Sequence, residues 1–219
     1  MGEPAGPPGP AAPLLIACAL GIEQLALRTG RSRADKAPGP VTVLRTGMGP
    51  KAAEAAVARA LGESRALGAA VIASGFCAGL TPGMHPGDLV VADETRLAGE
   101  SATCTGTELL ADALARAVPG RTVHTGPLTG SDHVVHGHER AGLRTTGAIA
   151  VDMESAATLR TALRAGPRPV AAVRVVVDAP QHELVRIGTV RGGISAFRVL
   201  RAVLPAFYEW HRSLLLPRR

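Results

Sequence analysis

Carboxylic acids stand where apolar runs stop. Glu23 follows the run Leu14–Leu20 by way of Gly21-Ile22. Asp152 and Glu154 come just after Ala148–Val151, and Asp178 ends Pro169–Val177, four residues after Arg174. A run as apolar as Pro169–Val177 reads as a buried strand, so a carboxyl at its end is desolvated, which favours the protonated form. A carboxyl protonated near neutral pH is a general acid. Two further segments join glycine to such runs, Thr46-Gly47-Met48-Gly49 and Ser74-Gly75-Phe76-Cys77-Ala78-Gly79. Glycine lets a backbone pass close to a ligand, although the GKS/T ending of a Walker loop is missing. Plainer readings stand beside these: a helix-initiating acid for Glu23, a tight strand–helix turn at Gly47 and Gly49, a cap for Asp178. No histidine can be assigned to pair with Cys77 as a nucleophile. His133, His136 and His138 with Glu139 make no recognised metal-ligand set and read as a surface loop.

The elements that must hold these residues follow from composition and periodicity. The 219 residues are 46% hydrophobic, enough for the core of one domain. No apolar run reaches the roughly 20 residues of a membrane-spanning helix. The first twelve residues, mostly Gly, Pro and Ala, read as a disordered tail before a single domain over 13–219. Their lack of a basic n-region argues against a signal peptide. Aromatics are 2% of the chain, too few for the stacking platforms of a single-stranded nucleic-acid binder. The net charge of +6 comes from scattered arginines, since Lys36 and Lys51 are the only lysines, which suits a solvated surface. Three cysteines without a CxxC pair fit neither a disulfide framework nor a zinc ribbon, and suit the cytoplasm.

Strands are expected at Leu14–Ala19, Val41–Arg45, Ala69–Ser74, Asp88–Asp93, Thr122–Thr129, Ala148–Val151 and Pro169–Val177. Helices are expected at Glu23–Arg28, Ala52–Leu67, Thr107–Val118, Glu154–Arg164 and Ile194–Leu216. Strands alternating with helices at this spacing predict an α/β fold with a sheet covered on both faces. Phe197, Phe207, Tyr208 and Trp210 concentrate in the last helix. That helix reads as one packed on the sheet, or, more sharply, as one whose aromatic end meets a membrane surface reversibly.

Taken in order, the segments resemble the nucleoside phosphorylase and nucleosidase superfamily. Ala150-Val151-Asp152-Met153-Glu154-Ser155-Ala156-Ala157 resembles the V-[DE]-M-E-[AS]-x-A ribose-binding block of methylthioadenosine/S-adenosylhomocysteine nucleosidases. Val173-Arg174 with Asp178 resembles their V-R-x-x-S-D block. Ser74–Gly79 followed by Pro86–Glu94 resembles TGSAGG … VGDVVVSDE, and Thr46–Gly49 an S-G-I-G turn. The branch most like this chain is the hopanoid-associated one, through its short length and Gly-Phe-Cys-Ala-Gly segment. The resemblance implies a three-layer α/β/α sandwich with a central mixed β-sheet, purine nucleoside phosphorylase-like. It implies cleavage of the N-glycosidic bond of a 5′-substituted adenosine, with 5′-deoxyadenosyl-hopane favoured, releasing adenine. By the same likeness Glu23 activates water, Arg174 lies near that water, and Asp178 protonates adenine N7. Glu154 binds the ribose hydroxyls, Met153 packs under the sugar, and Gly47, Gly49, Gly75 and Phe76 contact substrate. An acid on one side of the bond and a base on the other is the arrangement glycoside cleavage needs.

The chain departs from the family pattern at four places. Val177 stands for the serine before the catalytic aspartate, Phe76 for a loop serine, and Val134 for a base-stacking phenylalanine. Ala73 stands for the arginine that phosphorylases use for phosphate, which points to water as nucleophile. A methylthioadenosine/S-adenosylhomocysteine nucleosidase, a phosphate-using phosphorylase and a non-catalytic purine-binding module remain as alternatives. The resemblance implies no metal and no cofactor, and the scattered arginines and scarce aromatics argue against a nucleic-acid partner. It implies a homodimer taking a small-molecule nucleoside, while the cysteines place the chain in the cytoplasm and the sharper reading of the last helix places it at the inner membrane surface.

Overall fold

The computed structural model describes residues 12–30, 37–178 and 189–214, with the backbone alone at 65 and over 189–194. Most of the expected N-terminal tail and the end of the expected final helix lie outside these residues. In chain order the elements are β1 (Leu14–Cys18), α1 (Gly21–Thr29), β2 (Val41–Arg45), α2 (Pro50–Leu61), β3 (Ala70–Gly79), β4 (Leu89–Leu97), β5 (Glu100–Thr103) and α3 (Thr107–Ala117). There follow β6 (Val123–Gly130), α4 (Gly137–Thr145), β7 (Ala150–Asp152), α5 (Ser155–Arg164), β8 (Val170–Asp178), α6 (Thr189–Ala202) and α7 (Leu204–Ser213).

Side chains alternate between the two faces of a strand. Leu14, Ile16 and Cys18 of β1, Ala70 and Ile72 of β3, and Ala171, Val173 and Val175 of β8 therefore enter one core. Leu15, Ala17, Val71, Ala73, Val170, Ala172 and Val176 enter the other. Strands apolar on both faces must be covered on both faces. Residues of α1, α3, α6 and α7 close the first core, and residues of α2 and α5 the second. The result is the expected α/β/α sandwich with a mixed sheet.

β2, β1, β3 and β8 run parallel; β8 then pairs antiparallel with β4, β4 parallel with β6, and β6 parallel with β7. β7 returns to pair antiparallel with Ala78 and Gly79, so β3, β8, β4, β6 and β7 form a closed ring. The ring gathers the C-terminal ends of β3 and β8 and sets β7 beside them.

Five points differ from the expectations. The glycine-rich segment 75–79 is strand, because residues 75–78 pair with β8, and Ala78 and Gly79 with β7. The polar strand β5 forms a hairpin with β4. The histidine-containing stretch is not all loop, since α4 begins at Gly137 and includes His138. The last helix is two, α6 and α7, with Pro205 at the start of α7, where its missing N–H costs nothing. Phe207 and Trp210 are 0% exposed and Tyr208 3%, all within the first core, so the aromatic end offered as a membrane-contacting surface faces protein instead. Among the described residues no helix is long and apolar enough to cross a membrane.

Candidate active site

Glu23 lies in the first turn of α1, directly beyond the end of β1. Its Oε2 accepts hydrogen bonds from the backbone N–H groups of Ala19 (2.9 Å) and Leu20 (2.8 Å), and its Oε1 from that of Phe76 (2.8 Å). The first two bonds cap its own helix, so the plain reading of this acid holds. The third ties it to β3, and the carboxylate is buried and fixed by three donors.

Gly75 and Arg174 are register partners on β3 and β8. A Cβ on Gly75 would stand 2.5 Å from Glu23 Oε1 and 2.6 Å from Arg174 Nη1, and the glycine φ of +148° disfavours any L side chain. Only glycine lets these two groups face one point. The Arg174 guanidinium is fully buried and aimed by Asp152, whose position in the sequence marks it as an acid ending an apolar run, and by Ser155. Its Nε donates to Ser155 Oγ (2.9 Å), and its Nη2 is paired with Asp152 Oδ2 (2.6 Å), while Nη1 has no hydrogen-bond partner among the described residues. Asp152 in turn accepts from the Ser155 hydroxyl (2.6 Å). Surrounding carboxylates hold Arg174 in its charged form against the penalty of burial.

Glu154 precedes α5 and accepts from the Gly49 N–H through Oε1 (2.8 Å). Its Oε2 lies 4.0 Å from Arg174 Nη2. Burial pushes its carboxyl above the usual range, opposed by Arg174. Gly49, at φ +89°, thus braces the acid with its backbone. Gly47, at φ +86°, shapes the same turn, and of that turn Met48 lines the cavity.

That cavity, about 210 Å³, brings together Glu23, Phe76, Met153, Glu154 and Asp178. Asp178 is placed by a register shift between Cys77 and Ala78 that leaves it opposite Ala78. Gly75 and Ala78, which mark Arg174 and Asp178, are three strand positions apart, about 10 Å at roughly 3.3 Å per residue. Asp178 does not stand alone. Its Oδ2 is ion-paired with Nη2 of Arg140, whose Nε donates to the Val135 carbonyl (3.1 Å). Arg140 was not among the residues singled out in the sequence. The available signal was local: α4 has Glu139 in its first turn and Arg144 in its last, the polarity a helix prefers.

Cys77 borders the cavity, but burial pushes its thiol far above the usual range, away from the thiolate a nucleophile requires. His133 lies at the exposed edge, bonded to Asp132 (2.7 Å) and Glu139 (2.8 Å), which raise its pKa. Among the described residues no group of three or more His, Cys, Asp or Glu could hold a metal ion.

Residues 29–205 match the model of the phosphorylase superfamily, and the chain belongs to that superfamily. No curated protein matches its sequence. Several solved structures share the fold. The 5′-methylthioadenosine/S-adenosylhomocysteine nucleosidase of Neisseria meningitidis, in complex with methylthio-immucillin-A, is 22% identical at a TM-score of 0.76, covering 90% of this chain and 99% of its own. The S-adenosylhomocysteine nucleosidase of Streptococcus pyogenes, in complex with 5-methylthiotubericidin, is 21% identical at 0.75, covering 97% and 100%. The nucleosidase of Colwellia psychrerythraea, in complex with adenine, is 16% identical at 0.72, covering 93% and 96%.

Proposed function

We propose that the chain hydrolyses the N-glycosidic bond of a 5′-substituted adenosine and releases adenine. The observation that carries this reading is the approach of Glu23 and the fully buried Arg174 to one point beside Gly75, with Glu23, Glu154 and Asp178 lining one cavity. Glu23, held by three N–H donors, takes the proton of a water that Arg174 Nη1 orients. The water oxygen bonds to the anomeric carbon as the bond to the base breaks. Glu154 accepts hydrogen bonds from the ribose hydroxyls and steadies the oxocarbenium-like transition state. Asp178 addresses the leaving base, the place the family resemblance gives to the acid at N7.

Water rather than phosphate is supported by Ala73, which is 0% exposed and faces the second core, so no arginine serves a phosphate there. A large apolar 5′ substituent, 5′-deoxyadenosyl-hopane being the favoured case, is supported by Met48 and Val134. Both line the cavity yet are more than half exposed, and a hydrocarbon group would cover them. A methylthioadenosine/S-adenosylhomocysteine substrate uses the same catalytic groups, and the fold neighbours fit it. Homodimer formation is supported by Ile22 and Leu25, an exposed apolar pair one turn apart on the helix that carries Glu23.

Incubation with 5′-deoxyadenosyl-hopane and with 5′-methylthioadenosine, with and without phosphate, tests the reading. The expected products are adenine and a free sugar, independent of phosphate, with the hopane derivative turned over at the higher kcat/KM. A phosphate-dependent ribose 1-phosphate product overturns hydrolysis. A preference for the thioether overturns the hopane assignment, and release of adenine from neither overturns the reading as a whole.

A further inference from the structure

The cavity lined by Glu23, Glu154 and Asp178 measures about 210 Å³, below the roughly 300–1,000 Å³ of pockets that enclose small ligands. A nucleoside with a 5′ substituent enters it only if a wall moves. Phe76, Cys77 and Asp178 belong to strands paired within the sheet and are held in place. Another wall, His133–Val135 with Arg140, is built from α4 and the segment that leads into it. α4 rests lightly on the fold. Arg140 is its single buried residue, and Leu143 adds a partly buried contact to the small cluster of Leu80, Val135, Ala148 and Val151. Glycines in the left-handed region stand at its first residue and two residues past its end, Gly137 at φ +49° and Gly147 at φ +82°. A Cβ on either would meet nothing within 4 Å. Backbone geometry rather than packing selects glycine there, which suits a pair of hinges.

What keeps the helix down is polar. Arg140 Nη2 is paired with Asp178 Oδ2, and Nε donates to the Val135 carbonyl (3.1 Å). At the exposed rim His133 Nε2 meets Glu139 Oε1 (2.8 Å). The buried pair is incompletely satisfied: Arg140 Nη1 and Asp178 Oδ1 are shut from solvent with no hydrogen-bond partner among the described residues. In such a pair attraction offsets desolvation only in part, so it opens more readily than a fully bonded one. The same contact closes Asp178 to a ligand, since the arginine occupies one oxygen and the other is sealed. Resting on the proposed N-glycosidic cleavage, we propose that α4 is a lid and that Arg140 latches it shut on Asp178, an autoinhibitory contact that breaks before a nucleoside reaches the acid. Opening carries Arg140 into water, hydrates Nη1 and Oδ1, frees Asp178 and enlarges the cavity on the side of Val134. The closed form is the resting one, and apparent affinity is reduced by the small fraction that is open.

The test follows the full chain by hydrogen exchange of the α4 amides and by stopped-flow binding of formycin A, a fluorescent adenosine analogue whose C-glycosidic bond is not hydrolysed. In the parent the association rate should level off at high formycin A, at the rate of lid opening. In free Arg140→Met the α4 amides should exchange about tenfold faster or more. The same variant should bind formycin A at a rate that rises with concentration throughout, with a Kd lower by a similar factor. Glu139→Gln, which cuts only the exposed tie to His133, should shift exchange and binding the same way by less, and it decides the matter if Arg140→Met does not fold. Unchanged exchange in α4, or slower or weaker binding by the variant, overturns the latch, because damage to the fold or loss of a ligand contact weakens binding whereas release of a latch speeds it. Formycin A bound by neither protein also overturns it. Faster exchange and faster binding without release of adenine from 5′-methylthioadenosine or 5′-deoxyadenosyl-hopane overturn the cleavage and leave the latch standing.

Discussion

Two regions of the molecule are buried to a similar degree and built from opposite materials. At the cavity end, Glu23, Arg140, Asp152, Glu154, Arg174 and Asp178 are all charged types and all 8% exposed or less. At the C-terminal end, α6 and α7 lay Leu200, Val203, Leu204, Phe207 and Trp210 into the first core. There polar atoms are few. Trp210 Nε1 donates to the Thr105 carbonyl (2.7 Å), and burial pushes the His211 imidazole down in pKa, toward its neutral form. Burial in the second region is itself the stabilising term, since apolar area removed from water contributes roughly 25 cal/mol per Å². Burial in the first is a cost offset by hydrogen bonds and opposite charges, and it is retained where a site needs fixed charge. Four of the five aromatics serve packing, and only Phe76 reaches the cavity.

Substitutions should separate the two regions by what they damage. The largest effect is expected from Glu23→Gln, which removes the base and turns an amide NH₂ toward a backbone N–H donor. A general base contributes about 10²–10⁴-fold, so kcat should fall by that much, near the upper end, when steady-state adenine release is measured. Retention of a tenth or more of the parent rate would remove Glu23 from the mechanism. Trp210→Ala should do the reverse. Truncating a buried Trp costs about 3–5 kcal/mol of stability, visible in urea unfolding, while the KM of the fraction that remains folded stays near the parent value. A changed KM would mean that the helix pair helps shape the cavity.

The smallest effect is a pH dependence. Burial raises the Glu154 carboxyl above the usual value of 4.5, and its proposed bonds to ribose require the carboxylate. Hence kcat/KM should fall toward acid with a limb above that value, and Glu154→Gln should lack the limb. Because the folded-state pKa is the higher one, the contribution of this group to stability is full below 4.5 and is lost as pH rises through the raised value. Glu154→Gln should therefore melt no lower than the parent at neutral pH. An acid limb that survives the substitution would assign the titration to another group.

The apolar runs announced the strands of the sheet and the helices that cover it, because strands buried on both faces are continuous in sequence and amphipathic helices recur at three and four residues. Elements without such a signal did not show. β5 is a short polar hairpin strand, Glu100–Thr103. α4 has a single buried residue, Arg140, a charged one that hydrophobic periodicity does not register. The site divides in the same way. Glu23, Glu154, Arg174 and Asp178 end or punctuate apolar runs and were visible, and Gly75 was visible as a glycine. Arg140 was hidden because its partner, Asp178, lies 38 residues away, and Asp152 and Ser155 gain meaning only from the arginine they hold.

The sequence by itself determined a sheet covered on both faces and the order of its apolar strands along the chain, and it pointed to the ends of those strands as the place to look for chemistry. These follow from local patterns of burial. The tertiary structure alone decided that β7 closes the ring onto β3, that Gly75 lets Glu23 and Arg174 face one another, and that Arg140 meets Asp178. Each of these depends on groups distant in sequence brought within hydrogen-bond reach, and the energy of such a contact depends on their separation and their shelter from water, which a linear pattern of residues does not carry.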